Sequence, residues 1–260
     1  MVKIPDTEEL VGATIAGRYR IDSVIGQGGM GSVFAATQLG IDRRVAVKVL
    51  RPPLHRDEAQ AVRARTRFER EAKTLSRLSH PHTMRVFDYG HTESGNPYIV
   101  TELLEGKPLE TVVEGEGSVA PIRAVRIISG VLKSLAEAHE AGIVHRDISA
   151  GNVFLVEVRD DPEFVKLIDF GLASDDTGGA SVTRTGEILG TPLYMSPEQA
   201  QGKPTDERSD LYSTAVLLYE MLAGHAPFQH PNPLMVHIAH VERTPRNIQE
   251  LVPGLPRALS

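Results

Sequence analysis

The 260-residue sequence predicts an α+β protein in two lobes, a small β-rich one followed by a larger, mostly helical one. Strand-like segments and glycine-rich turns crowd the chain up to about residue 102, whereas long apolar-periodic helices dominate beyond it. No internal repeat with a period of roughly 20–50 residues appears, which excludes a solenoid or propeller.

Composition narrows the function classes. Hydrophobic residues make up 41% of the chain, enough for a real core and too many for a disordered or collagenous protein. With 28 Lys and Arg against 34 Asp and Glu, the net charge of −6 argues against a nucleic-acid backbone binder, which needs a basic face. No cysteine is present, so disulfides, thiolate zinc sites and a cysteine nucleophile are all excluded. The leader 1–18 is polar, and the most apolar later run, 215–223, is interrupted by Glu220; neither a secretion signal nor a membrane span is expected.

The elements follow in order. Residues 19–24 read as a strand, and Gly26, Gly28, Gly29 and Gly31 then punctuate the chain before a second strand at 32–37. In a third strand, 45–50, Val45, Val47 and Val49 share one face while Ala46, Lys48 and Leu50 share the other. Over 61–78 the spacing of Phe68, Ala72, Leu75 and Leu78 predicts a helix, with Glu71 on the same stripe. Strands at 84–89 and 98–103 flank the turn 91–97, and Glu105-Gly106-Lys107-Pro108 reads as a connector. A helix begins at Pro121 and stops at Gly142, with Ile122, Val125, Ile128, Leu132 and Leu135 as its apolar positions. A second, nearly all-apolar helix spans 211–222 and is stopped by Gly224. The division expected is a leader at 1–18, a first lobe at 19–101, a hinge at 102–106 and a second lobe at 107–260.

The chemistry-bearing residues form an ordered series. Gly26-Gln27-Gly28-Gly29-Met30-Gly31 is a G-x-G-x-x-G that continues into a strand, unlike the dinucleotide fingerprint, which opens a helix. Alone it reads equally well as a plain hairpin. After it come Val45-Ala46-Val47-Lys48, His145-Arg146-Asp147 with Asn152 five residues on, Asp169-Phe170-Gly171, and Ser196-Pro197-Glu198. Four histidines, His225, His230, His237 and His240, lack a third ligand at convincing spacing, and His237 and His240 read as a solvated helix face rather than a metal site. Arg63, Arg65, Arg67 and Arg70 alternate with acids and read as an exposed, salt-bridged helix face.

This series resembles the eukaryotic-type protein kinases, and the stretch from Gly190 through Thr191-Pro192 to Gln199-Ala200 is similar to their bacterial serine/threonine branch. The resemblance covers residues 19–260 and implies a bilobal kinase-like fold, with the last two helices of the large lobe and an arginine partner for Glu198 falling beyond the final residue. It implies an ATP-dependent transfer of a phosphoryl group to protein hydroxyls. The nucleotide site would be formed by Gly26, Gly28, Gly31, Val33, Ala46, Lys48, Glu71, Thr101, Glu102, Leu104 and Phe154. Lys48 supplies a point charge for the α and β phosphates, and Glu71 is its partner. Asp147 orients and deprotonates the incoming hydroxyl, while Asn152 and Asp169 offer oxygen ligands to Mg2+, with Mn2+ as the alternative.

The same resemblance implies further roles. Thr183 and Thr185 are the switch sites, whose phosphates would meet Arg146 and Arg67, and Thr191 belongs to the substrate platform. His145 is a packing residue with Leu75, Val86 and Phe170, and Asp210 holds the backbone of the His145-Arg146 turn. The implied partners are protein substrates and a second kinase copy for autophosphorylation in trans. A cytoplasmic location is expected, either free or as the cytoplasmic part of a membrane-anchored kinase. One departure stands out: Ser149 occupies the place of the usual catalytic-loop lysine and Gly151 that of the tyrosine-kinase arginine. Losing a cation near the transferred group costs ~10²–10³ in rate by analogy with a lost oxyanion donor. The competing reading is a scaffold that binds nucleotide or partners without efficient transfer.

Overall fold

A computed structural model describes residues 10–28, 31–50, 58–170 and 192–256. The chain divides into two compact units, the first comprising 1–79 and 84–104 and the second 80–83 and 105–260. The segment expected as a hinge, 102–106, is divided between the units at Leu104/Glu105, and the short segment 80–83 belongs with the second unit although it interrupts the first.

The first unit is a six-stranded antiparallel sheet with one long helix. Its strands are β1 (Thr14–Ile15), β2 (Tyr19–Gly28), β3 (Gly31–Gln38), β4 (Arg43–Leu50), β5 (Val86–His91) and β6 (Pro97–Glu102), in the order β1-β2-β3-β4-β6-β5. The Tyr19 hydroxyl on β2 nevertheless donates to Asp88 Oδ2 on β5 at 2.6 Å, across four places of that order, so the sheet is strongly curled. Inside the curl lies a core of Ile21, Phe34, Ala36, Val45, Val47, Val49, Tyr98 and Val100. The alternation of Val45, Val47 and Val49 is thus the core face, as the period of two requires. Helix α1 (Glu58–Leu75) buries Phe68, Ala72 and Leu75, and Leu78 just beyond its end is buried too.

In the second unit, β7 (Gly106–Pro108) leads into α2 (Leu109–Glu116) and α3 (Pro121–Glu140). A single 3-10 turn at Ala150–Asn152 precedes β8 (Val153–Val158) and β9 (Asp161–Leu167), which form a small antiparallel sheet with β7. Then come α4 (Pro197–Ala200), α5 (Glu207–Ala223), α6 (Pro233–Glu242) and α7 (Ile248–Leu251). The sequence reading did not anticipate β1 or the β7-β8-β9 sheet. It also started α5 late, because Asp206, five residues before the apolar run begins at Leu211, is the N-cap: its side chain accepts from Arg208 N at 2.9 Å. At the other end Gly224 takes the left-handed conformation, with φ of 79°.

Helix α3 has the expected extent, and of its five expected apolar positions Ile128 and Leu135 are buried while Ile122, Val125 and Leu132 are not. Its buried residues include Ala124, Ile127, Ile128, Val131, Leu135 and Ala138, whereas Ile122 is 81% exposed and Val125 and Leu132 also face solvent. Small residues decide the orientation. Gly130 approaches β9 so closely that a Cβ there would lie 2.8 Å from Val165 Cβ, and the Ser134 hydroxyl pairs with Thr83 at 2.7 Å. Close approach of Ala, Gly and Ser to a neighbouring element outweighs the larger side chains on the adjacent stripe.

Candidate active site

The first unit places four of the residues singled out from the sequence, Val33, Ala46, Lys48 and Thr101, on one face of its sheet. In the β-ladder Gly26 pairs with Val33, Val33 with Lys48, and Lys48 with Ile99, while Ala46 pairs with Ala35 and with Thr101. Directly paired residues project to the same side, so Val33, Ala46, Lys48 and Thr101 line the face opposite the curled core. Ala46 and Thr101 are buried there, and the Thr101 hydroxyl donates to the Glu102 carbonyl at 3.2 Å. The Glu102 carboxylate accepts from Arg85 N at 2.7 Å, tying β6 to the start of β5.

Glycine is obligatory at Gly31. Its φ is 152°, and a Cβ would fall 2.2 Å from the Val49 carbonyl oxygen. By contrast Gly28 has open space around it, as suits a backbone that must admit a ligand. On α1, Glu71 lies half-buried with Oε1 4.0 Å from Arg67 Nε, one helical turn away, and Arg65 pairs with Glu69 at 3.1 Å. The arginine-rich face of α1 is salt-bridged, as its charge alternation implies.

The second unit arranges its candidate residues around a loop that leaves α3 and enters β8. Asp210, 1% exposed at the start of α5, holds this loop by its backbone. Oδ2 accepts from His145 N and Oδ1 from Arg146 N, each at 2.8 Å, and His139 Nε2 on α3 reaches Oδ2 at 2.7 Å. On the far side of the turn the buried Gln199 donates through Nε2 to the Arg146 carbonyl at 2.8 Å. Arg146 itself sits at φ 66°, a left-handed conformation that a non-glycine residue keeps only when its surroundings fix it. His145 Nε2 reaches the Ile168 carbonyl at 2.9 Å, and its ring packs 4.6 Å from that of Phe170, one of the three packing partners expected.

Asp147 and Asn152 are joined directly. The Asn152 amide nitrogen donates to Asp147 Oδ2 at 2.9 Å and to the Asp147 carbonyl at 2.7 Å. This fixes the carboxylate and turns the amide oxygen the other way. The Asn152 carbonyl accepts from Ile168 N at 3.0 Å, and β8 pairs Val153 with Leu167, so Asn152 and Asp169 are held at the same end of one hairpin. Asp169 has φ 59°, the second strained non-glycine residue of the site. An amide oxygen and a carboxylate held there match the donor chemistry of a hard divalent cation. Phe154, half-buried on β8, pairs with Pro108 of β7.

Ser149 is buried, and its side chain does not cap the 3-10 turn it precedes. A Cβ on Gly151 would lie 3.6 Å from Glu110 Oε2, so this part of the loop faces α2. Glu198 accepts a hydrogen bond from the Ser209 hydroxyl. Thr183, Thr185 and Thr191 lie outside the described residues.

Two residues of this architecture escaped the sequence reading. His139 gives no local signal, being 71 residues from the carboxylate it contacts. Gln199 was legible: Ser196-Pro197-Glu198-Gln199 spells a capping box, and both reciprocal bonds of that box are formed. His237 and His240 correct an expectation. Both are buried, because α6 turns its histidine face toward the chain and not toward water.

A profile of the protein kinase domain matches residues 19–253. Among curated proteins, the chain is 44% identical over 247 residues to serine/threonine-protein kinase pkn3 of Myxococcus xanthus, covering 94% of this chain and 44% of that protein. It is 41% identical over 236 residues to serine/threonine-protein kinase PknB of Mycolicibacterium smegmatis, covering 89% of this chain and 36% of that one. To PknB of Mycobacterium tuberculosis it is 39% identical over 235 residues. The chain belongs to the protein kinase domain family, and within it to the bacterial eukaryotic-type serine/threonine branch. It spans less than half the length of these curated relatives.

Proposed function

We propose that this chain is the catalytic domain of an ATP-dependent serine/threonine protein kinase that transfers the γ-phosphoryl group of Mg-ATP to protein hydroxyls in bacterial signalling. The observation that carries this reading is the pairing of Asp147 with Asn152 on a loop braced by Asp210, with Asp169 on the adjoining hairpin end. Asp147 accepts the proton of the substrate hydroxyl and aims its oxygen; Asn152 keeps that carboxylate in one rotamer. Asn152 Oδ1 and the Asp169 carboxylate would hold Mg2+, which would supply positive charge against the phosphates. Lys48, on the sheet face it shares with Val33, Ala46 and Thr101, supports the α and β phosphates, with Glu71 orienting it and Gly26, Gly28 and Gly31 giving the backbone room to cover them. Glu102, Leu104 and Phe154 are the residues assigned to the adenine.

The test is incubation with radiolabelled ATP and magnesium, comparing this chain with Asp147→Asn. Transfer by the parent chain and a drop of about 10³-fold or more in the variant are expected; equal rates overturn the assignment. Ser149 lowers the expected absolute rate but leaves Lys48, Asp147 and Asp169 in place. A chain that binds Mg-ATP with no transfer at all is the scaffold.

Regulation of the same site would come through Thr183 and Thr185, phosphorylated by a second copy of the kinase. Each phosphate brings about −1.5 to −2 charges toward Arg146 and Arg67. Mass spectrometry after incubation with Mg-ATP is expected to find phosphate at one or both, and Thr183→Ala/Thr185→Ala is expected to lose activity; full activity in the double variant removes the switch.

A further inference from the structure

Helix α1 and the turn that closes it carry six cations against two acids between residues 61 and 77. Ion pairs take up only part of this charge, Arg65 with Glu69 and Arg67 with Glu71. Arg63, Arg70, Lys73 and Arg77 are exposed and have no ion pair among the described residues. At about 100° per residue, Arg63, Thr66, Arg70, Thr74 and Arg77 fall on one stripe, opposite the Phe68, Ala72 and Leu75 that enter the core. The Thr66 and Thr74 hydroxyls donate to the Val62 and Arg70 carbonyls, each at 3.0 Å. No carboxylate lies on the stripe, because Glu69 and Glu71 stand about 100° to either side of Arg70.

This arrangement works against the helix itself. Like charges three or four residues apart repel across adjacent turns, and Arg63, Arg67, Arg70, Lys73 and Arg77 set four such pairs end to end. A face that met only water would be better served by acids at some of these positions, and in a chain of net charge −6 acids are the commoner type. Carboxylates brought by a partner would remove the repulsion, and the guanidinium fork accepts them two bonds at a time. Arg63, Arg70 and Arg77 repeat every ~10 Å along the axis, the step at which an acidic helix laid alongside repeats its own side chains. A lipid surface fits poorly: Val62 is the one large apolar side chain that α1 exposes among the described residues, and an interfacial helix needs an apolar band. Nucleic acid fits poorly too. The one aromatic ring of α1, Phe68, is buried and gives a base nothing to stack on, and the net negative charge of the chain opposes a dense polyanion.

We infer that the outer face of α1 is a docking site for an acidic segment of a partner protein, whose carboxylates are held by Arg63, Arg70 and Arg77 with Lys73 at the edge. The site stands apart from phosphoryl transfer. None of these four residues belongs to the nucleotide or catalytic set, so binding is expected whether or not the chain transfers phosphate.

The probe is fluorescein-labelled poly-L-glutamate, its binding to the full chain followed by fluorescence anisotropy. Arg63→Ser/Arg70→Ser/Arg77→Ser is expected to weaken binding about tenfold or more. Lys203→Ser/Arg208→Ser/Arg243→Ser removes the same charge from exposed positions of the second unit and should stay within about twofold of the parent. Raising salt from about 50 mM to about 200 mM should weaken the parent more than the α1 triple variant. Arg70→Glu is the second variant, because an acid between Arg67 and Lys73 exchanges repulsions for attractions. Its thermal midpoint should hold or rise while binding falls. The inference is overturned if the parent does not bind, if both triple variants lose affinity equally, or if Arg70→Glu binds as the parent does. It is overturned as well if dependence on Arg63, Arg70 and Arg77 appears with phosphatidylserine vesicles or double-stranded DNA and not with poly-L-glutamate. Self-association of the parent in sedimentation that the α1 triple variant abolishes also overturns it, since the occupant is then a second copy.

Discussion

At the scale of single residues, the catalytic loop is held less by its own sequence than by one buried carboxylate. Asp210 accepts hydrogen bonds from two successive backbone N–H groups and from His139, and the turn it holds includes Arg146 at φ 66°. A left-handed non-glycine residue costs about 1–3 kcal/mol, which the charge-assisted bonds to Asp210 offset. Asp210→Asn tests this with little change in shape, since the amide keeps one acceptor and points an N–H₂ group at donors. Stability is expected to fall by about 1–3 kcal/mol in urea unfolding. On the proposed kinase reading, kcat should fall more than KM for ATP rises, because the substitution loosens Asp147 and leaves the sheet of the first unit, which bears Lys48, untouched. A variant with parental stability and kcat would show that the brace is dispensable. Of these residues, Asp210 was legible only through resemblance to a known series. The brace from His139 is a long-range contact between two helices that no local pattern encodes.

Elements show how sequence pattern and packing divide the work. The period-two alternation of β4 named both faces correctly, because a strand has only two, and the side rich in valine enters the core. A helix offers a continuum of faces. In α3 the apolar stripe through Ile122, Val125 and Leu132 lost to the one through Ala124, Ile127, Val131 and Ala138, since small residues permit a closer approach to neighbouring elements. Gly130 carries the consequence. Glycine to alanine inside a helix ordinarily stabilises by about 1 kcal/mol, but here the new methyl would meet the Val165 side chain at 2.8 Å on a packed strand. Overpacking costs about 1–3 kcal/mol, so Gly130→Ala is expected to destabilise on balance, as read from urea midpoints. Gly31→Ala should do worse, because its Cβ meets a backbone oxygen at 2.2 Å that cannot swing aside. Gly28→Ala, with nothing within 4 Å, is expected to keep parental stability and to raise only KM for ATP. A stabilised Gly130→Ala would mean that β9 yields more readily than a packed strand should. The short β7-β8-β9 sheet was missed for a different reason: β7 has only three residues, too few for alternation to register, and is recognised only by pairing with β8.

Across the whole molecule, four histidines share one sign. His82 stacks 4.4 Å from Phe164 with Nδ1 at the Val165 carbonyl, His91 lies edge-on to Phe68, and His237 and His240 are buried on α6. In all four, burial is the largest cause of a lowered pKa; His80, Lys133 and Lys166 lower His82 further, and Arg65 does so for His91. In the unfolded chain these imidazoles titrate near pH ~6.5. Their folded values lie lower, so between the two the unfolded state binds more protons, and stability must fall as pH drops from about 6.5 through the folded values, then level off. Asp22 and Glu163, held low by Thr37 and by Arg123 respectively, add the same sign in the more acidic carboxylate range. Glu220 opposes them: burial raises its carboxyl, so its contribution is present below its unfolded value and is lost as pH rises through the folded one. Four imidazoles against one carboxyl leave a net loss on mild acidification. His91 belongs to the first unit and His82, His237 and His240 to the second, so the second is expected to be the more acid-labile. Urea unfolding between about pH 7.5 and about pH 5.5 should show a falling midpoint at nearly constant slope. His240→Gln removes one of the four groups and should make the fall shallower. A midpoint that stays level or rises over that interval would mean that the buried imidazoles take up their protons without leaving the folded state.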